Sequence, residues 1–162
     1  MKHALAALVS LCLCLPLQAQ LQVGGGLAFG TEIETLGLTA KVNFDITESI
    51  EGSGSFTFFL PNGDIPNNDF TFWEINGDGH YTFTENESLS IYGLAGINIG
   101  HWSFENDFGF PGANPSDTEF GLNVGGGIRL PFGSITGYGE IKYTISDFDQ
   151  LVLNAGVLVP IQ

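Results

Sequence analysis

The chain has 162 residues, of which 43% are hydrophobic, 12% aromatic and only 14% charged, against roughly 25% charged in ordinary globular domains. Its 18 Asp and Glu outnumber 4 Lys and Arg, a formal net charge of -14. That excess excludes nucleic-acid binding, because neutralising phosphates takes Lys and Arg. The hydrophobic content and 14 Phe exclude intrinsic disorder, and the length fits one domain.

The first element is a leader. Lys2 and His3 precede an apolar run over 4–17, broken only by Ser10, and Gln18, Ala19 and Gln20 follow. This is the charged, apolar and small-residue order of a secretory signal peptide, and the run is too short for a membrane helix of about 20 residues. Cleavage is expected after Ala19, giving a signal peptide over 1–19 and one domain over 20–162. Both cysteines, Cys12 and Cys14, lie in the leader. With Leu11 and Leu13 before them they do not fit a lipidation site, and the mature chain is expected to lack any disulfide, thiolate metal site or thiol nucleophile.

From Leu21 onward the recurring pattern is alternation of period two, the mark of strands with chemically different faces. Turn-type residues interrupt it at 31–34, 45–52, 61–69, 84–88, 102–117, 131–133 and 146–149. Eight strands are predicted, near 21–30, 35–45, 53–60, 70–83, 89–101, 118–130, 134–145 and 150–161. In the last four, one parity (for example Ile91, Ala95, Ile97; Leu122, Val124, Ile128; Ile141, Tyr143; Leu153, Val157) holds no charge, amide or Ser/Thr. The other parity carries Ser90, Asn98, Asn123, Arg129, Thr136, Glu140, Lys142, Thr144 and Asn154 among many glycines.

Alternating strands must close their edges, and two closed forms fit. A soluble lipocalin-like barrel that binds an apolar ligand turns its apolar face inward. A membrane barrel turns it to lipid. The polar face is Gly, Asn, Ser and Thr rather than the dense Lys, Glu and Asp of a wetted surface, which suits a narrow interior. Strands of this length also match the ~9–11 residues that a tilted membrane strand needs. The expectation is therefore an all-β fold, an eight-stranded antiparallel up-and-down transmembrane barrel.

The basic residues sharpen this. The apolar parity of Leu36, Leu38, Ala40, Val42 and Phe44 turns Lys41 inward, and Arg129 and Lys142 are inward by the same rule. In the fourth strand Trp73, Ile75, Tyr81 and Phe83 point outward while Glu74, Asp78 and His80 point inward. With Glu140 the expected lumen network is Lys41, Glu74, Asp78, His80, Arg129, Glu140 and Lys142, three carboxylates against three cations. Lys2 leaves with the leader, so the acidic excess falls almost wholly on loops and turns.

The leader, the eight alternating strands and the charged, Gly-rich lumen resemble the small outer-membrane β-barrels of the OmpA/OmpX type. The segments Tyr92-Gly-Leu-Ala-Gly-Ile-Asn-Ile-Gly100 and Gly121-Leu-Asn-Val-Gly-Gly-Gly-Ile-Arg129 carry the likeness most strongly. It implies a periplasmic N-terminus, outer-membrane localisation and loops 31–34, 61–69, 102–117 and 146–149 outside the cell. Barrels of that type usually end in an aromatic residue, whereas this chain ends Val159-Pro160-Ile161-Gln162.

Chemistry has few candidates. His101, Ser103 and Glu105 share one face at the end of the fifth strand, and the His-x-Ser order resembles that of lipid A deacylases, where the pair lies near the C-terminal strands. We read it instead as a strand end, with Trp102 and Phe104 in an interfacial aromatic girdle. His80 beside Asp78 reads as part of the charge network rather than a metal or acid/base site. Asp64, Asp69, Glu105, Asp107 and Asp117 lack the ordered spacing of a cation loop. Gly24–26 and Gly125–127 open no helix and so are not phosphate loops. The sequence thus implies a non-enzymatic monomer with no catalytic residue, cofactor, bound metal or nucleic acid. Its role is structural, or surface interaction with an extracellular partner through loops 61–69 and 102–117. The alternatives are a lipid-modifying barrel enzyme and the soluble ligand binder.

Overall fold

In the computed structural model, residues 20–61, 68–106 and 116–161 are described. Eight strands follow one another: β1 (Leu21–Gly30), β2 (Thr35–Asp45), β3 (Ile50–Phe59), β4 (Asn68–Glu85), β5 (Ser90–Asn106), β6 (Ser116–Phe132), β7 (Ile135–Ile145) and β8 (Gln150–Ile161). Each pairs antiparallel with the next, and β1 pairs with β8, so the sheet closes into a barrel with no open seam. Closure removes the free edges that an alternating sheet otherwise presents.

The wall is apolar outside. Leu27, Leu38, Ile97, Leu122 and Phe120 are 58%, 55%, 61%, 60% and 77% exposed. Side chains of this kind cover the outer face of every strand, far more contiguous apolar surface than a water-soluble monomer tolerates. That face meets lipid, which overturns the soluble ligand-binder alternative. Inside, the alternate positions are polar and buried, among them Thr39, Lys41, Asn43, Asn76, Asn98 and Asn123.

Side chains close the short turns. Thr47 Oγ1 accepts from the amides of Ser49 and Ile50, at 3.3 and 3.1 Å, and Asn86 Oδ1 accepts from those of Ser88 and Leu89, at 2.9 and 3.0 Å. At the opposite end Asp149 Oδ1 accepts from Ser146 N, at 2.8 Å. Gly133, at φ 67°, supplies the left-handed residue of the turn between β6 and β7.

These compact turns shift the predicted boundaries. The 45–52 interruption shrinks to four residues, so β3 starts at Ile50 rather than 53. Likewise β5 runs to Asn106 and β6 starts at Ser116, so much of the expected loop 102–117 is strand. Together with the 18 residues of β4, these strands raise one side of the barrel well beyond the ~9–11 residues a membrane crossing needs, at the end away from the termini.

Candidate functional site: the lumen and its two mouths

The lumen is built in tiers. Nearest the termini an open cavity of about 610 Å³ is lined by Gln22, Asp45, Glu48, Glu51, Glu85 and Arg129, among others. Its inner end is closed by ion pairs. Arg129 pairs with Glu51 and donates to His80 Nδ1 at 2.9 Å, while that nitrogen also lies 3.0 Å from Glu51 Oε1. The His80 ring stacks on Tyr92 at 4.7 Å between centroids, and the Arg129 guanidinium lies 4.4 Å over the same phenol ring. Tyr92 OH donates to Glu140 at 2.6 Å, and Glu140 is the partner of Lys41.

Glycines make room for these rings. A Cβ at Gly127 would lie 2.5 Å from Tyr92 OH, and Cβ atoms at Gly26 and Gly156 would lie 2.7 and 2.8 Å from Tyr138 OH. The Gly-rich parity is therefore the socket of two lumen tyrosines.

The middle tier is an amide ladder. Asn98 and Asn123 both donate to Asn76 Oδ1, at 2.8 and 2.9 Å, and Thr144 donates to Asn123 Oδ1 at 2.9 Å. Lys142 reaches Glu74 at 3.3 Å. Asp78 has no Lys or Arg within ion-pair distance among the described residues; it accepts from Asn123 Nδ2 at 2.8 Å.

The outer tier is apolar and aromatic. Ala28, Phe59, Phe72 and Val152 are buried together, with Ile33, Phe70, Trp102 and Phe148 packed on them. Phe72 lies 5.4 Å from Phe59 and 5.9 Å from Phe148, and Phe70 lies 4.8 Å from Phe104, between ring centroids. These rings stand on the lumen parity, so the expectation that Trp102 and Phe104 join an interfacial girdle is corrected. The reason is length: β4 and β5 run on past the membrane, and their inner faces at that height need a core of their own.

All seven sequence-derived lumen residues point inward, with Lys41, Glu74, Asp78, His80 and Lys142 buried and Arg129 and Glu140 nearly so. The expected three-to-three balance is corrected, because Glu51, 5% exposed, and Glu119, half-buried on the lumen side of β6, are inward carboxylates too. The earlier start of β3 brings Glu51 in. Tyr92 and Tyr138 were also missed; an aromatic on an otherwise Gly and polar parity was the available signal. His101 and Ser103 lie on the outer wall. His101 Nδ1 is 2.8 Å from Thr118 Oγ1, and Ser103 pairs across the sheet with Thr71 and Ser116. The histidine is thus engaged away from the serine. The side chain of Glu105, Asp64 and Asp107 lie outside the described residues, as does the leader.

No family model and no curated protein matches this chain. Solved structures do. The N-terminal β-barrel domain of Pseudomonas aeruginosa OprF aligns with TM-score 0.71 at 13% identity, covering 89% of this chain and 100% of that one. Ail, the attachment invasion locus protein of Yersinia pestis, aligns with TM-score 0.64 at 18% identity, covering 88% and 97%, and has also been crystallised with the heparin analogue sucrose octasulfate. Neisserial surface protein A aligns with TM-score 0.65 at 17% identity, again over 88% and 97%. Closed topology, lipid-facing wall and filled lumen together give this chain the fold of the small eight-stranded outer-membrane β-barrels of the OmpA/OmpX type.

Proposed function

We propose that this barrel is exported with cleavage of residues 1–19 and acts without catalysis or transport, through its outer rim, on partners that are not polyanions. The observation that carries the reading is the placement of charge. Beyond the leader the cations are Lys41, Arg129 and Lys142, and each is committed to a lumen carboxylate. The outer rim holds Glu32, Glu34, Asp117, Asp147 and Asp149 among the described residues. Ail was crystallised with a heparin analogue; this rim offers such a ligand no Lys or Arg, and like charge repels it.

The lumen supports the non-transport half of the proposal. The 610 Å³ cavity ends at the Arg129, Glu51 and His80 cluster, and ladder and aromatic tiers fill the space beyond, as eight-stranded barrels are wide enough only for side chains. The test has two arms. Folded protein in a planar bilayer should show no stepwise conductance, and in a solid-phase assay it should bind a lysine-rich protein while ignoring heparin, with binding abolished by high salt. Steady conductance or salt-resistant heparin capture overturns the proposal.

A further inference from the structure

On the side of the termini the lipid-facing wall ends in exposed aromatics. Tyr81 and Phe83 of β4 are 52% and 67% exposed, and their rings meet edge to face at 5.2 Å between centroids, tilted by 70°. Two local features fix the pair there. The pairing of β4 with β5 shifts register between Thr82 and Thr84, so Phe83 is the extra residue of a bulge and has no partner on β5. Its ring leans instead over Gly93, the residue opposite Tyr81, where a Cβ would lie 2.9 Å from the ring.

Rings at the end of a lipid-facing wall stand at headgroup level, and charge decides which headgroup they meet. Thr82 N donates to Ser49 O at 2.9 Å, which holds the turn that carries Glu48 beside the pair. On its other side β4 runs on through Glu85 into the turn that carries Glu87. All three carboxylates are exposed. No cation is free to offset them, since beyond the leader Lys41, Arg129 and Lys142 are each paired with a lumen carboxylate. An anionic headgroup at this rim meets like charge, whereas one that ends in an ammonium meets carboxylate oxygen and ring faces.

We infer that this rim is a headgroup site for a zwitterionic phospholipid, with its ammonium against the Tyr81 and Phe83 rings and the Glu48 and Glu87 carboxylates around it. Two tilted rings make the kind of corner that holds an ammonium, because each ring carries negative charge on its face. Carboxylate is the matching acceptor for the ammonium N–H groups. The wall provides for the acyl chains of the same lipid. On the outer face of β4 next to Tyr81 stand Gly79 and Gly77, both exposed, where a Cβ would meet nothing nearer than 3.7 and 3.6 Å. Packing does not demand glycine at either position, and together they leave a shallow lane that runs from the rings along the wall.

Native mass spectrometry of the mature barrel refolded in detergent tests this, with phosphatidylethanolamine and phosphatidylglycerol of identical acyl chains as the probes. The barrel should retain phosphatidylethanolamine about tenfold more strongly. Tyr81→Leu with Phe83→Leu keeps the wall apolar and should bring the two lipids to within about twofold of each other. Glu48→Gln with Glu87→Gln should also narrow the gap, by raising retention of phosphatidylglycerol. Phe132→Leu removes another exposed ring, on β6 and 61% exposed, and should leave the preference unchanged. Heat-modifiable migration shows that each variant is folded; if the double leucine variant is not, Phe83→Leu alone serves, with at least half of the preference lost. Equal retention of the two lipids by the unaltered barrel, a preference that survives both double variants, or one lost equally in Phe132→Leu overturns the site.

Discussion

Replacing Glu51 by alanine tests the lumen network where it departs from the sequence reading. Glu51 and Arg129 form an ion pair whose side chains are 7% and 13% exposed, and His80 Nδ1 lies 3.0 Å from the same carboxylate oxygen. Alanine leaves the guanidinium buried and unpaired. Breaking a buried pair this way costs ~3–5 kcal/mol. Because the cavity facing the termini brings water to Arg129, we place the cost at about 3 kcal/mol, the lower end of that range. The double variant Glu51→Met with Arg129→Met removes both charges and keeps most of the volume. It should lose little beyond the Arg129 contact with Tyr92, at 4.4 Å, worth ~0.5–2 kcal/mol. Urea unfolding of vesicle-inserted barrels, read by tryptophan fluorescence and gel mobility, measures both. A single variant that costs under about 1 kcal/mol, or a double variant as damaged as the single, refutes the view that pairing rather than volume matters at Glu51.

Three further outcomes follow from the geometry. Ile97→Arg, on the lipid side of β5 and 61% exposed, should cost ~2–4 kcal/mol, while Ser103→Arg at the outer end of the same strand should cost about 0–1; equal losses in the same unfolding assay would contradict the lipid-facing assignment. Phe72→Ala removes a ring that is 5% exposed between Phe59 and Phe148, and should cost ~3–5 kcal/mol, seen as a lower urea midpoint with no new conductance. His101→Ala should leave the acyl pattern of lipid A from expressing cells identical to wild type by mass spectrometry; a variant-dependent loss of acyl chains would instead revive the His101 and Ser103 pair as an enzyme site.

Strand existence and facing were legible because period-two alternation is a long-range signal repeated along every strand. Lys41 is inward because five apolar neighbours on β2 leave it no other face. Where the reading failed, a local feature outweighed the pattern. Thr47 caps a four-residue turn, so Glu51 falls inside β3; polar residues next to a turn read as turn until such a cap is known. Trp102 and Phe104 failed for a different reason. Aromatics at a predicted strand end suit the membrane interface, and only strand continuation to Asn106 shows that those rings stand above it, facing in. Pairing was never legible. Arg129 meets Glu51 at a separation of 78 residues and Lys41 meets Glu140 at 99, distances that only barrel closure brings together.

The network has a further consequence for how the chain finds one barrel rather than several. Side chains alternate across a strand, so a slip of one residue turns every lumen residue of that strand into lipid. The charges are distributed so that most strands feel this: Lys41 on β2, Glu51 on β3, Glu74 and Asp78 on β4, Arg129 on β6, Glu140 and Lys142 on β7. A slipped β2 or β6 would put a lysine or arginine against hydrocarbon, at ~2–4 kcal/mol each near the midplane, and would also strand its carboxylate partner in the lumen. Slippage by two residues restores the facing but separates Arg129 from Glu51, and it drives the Tyr92 ring off Gly127, the position that leaves it room. On β1 and β8, which carry no Lys, Arg, Asp or Glu, that second device stands alone: Gly26 and Gly156 receive Tyr138 OH from β7. Charge therefore fixes the facing of the inner strands, and the glycine sockets fix the register at the seam where the barrel closes.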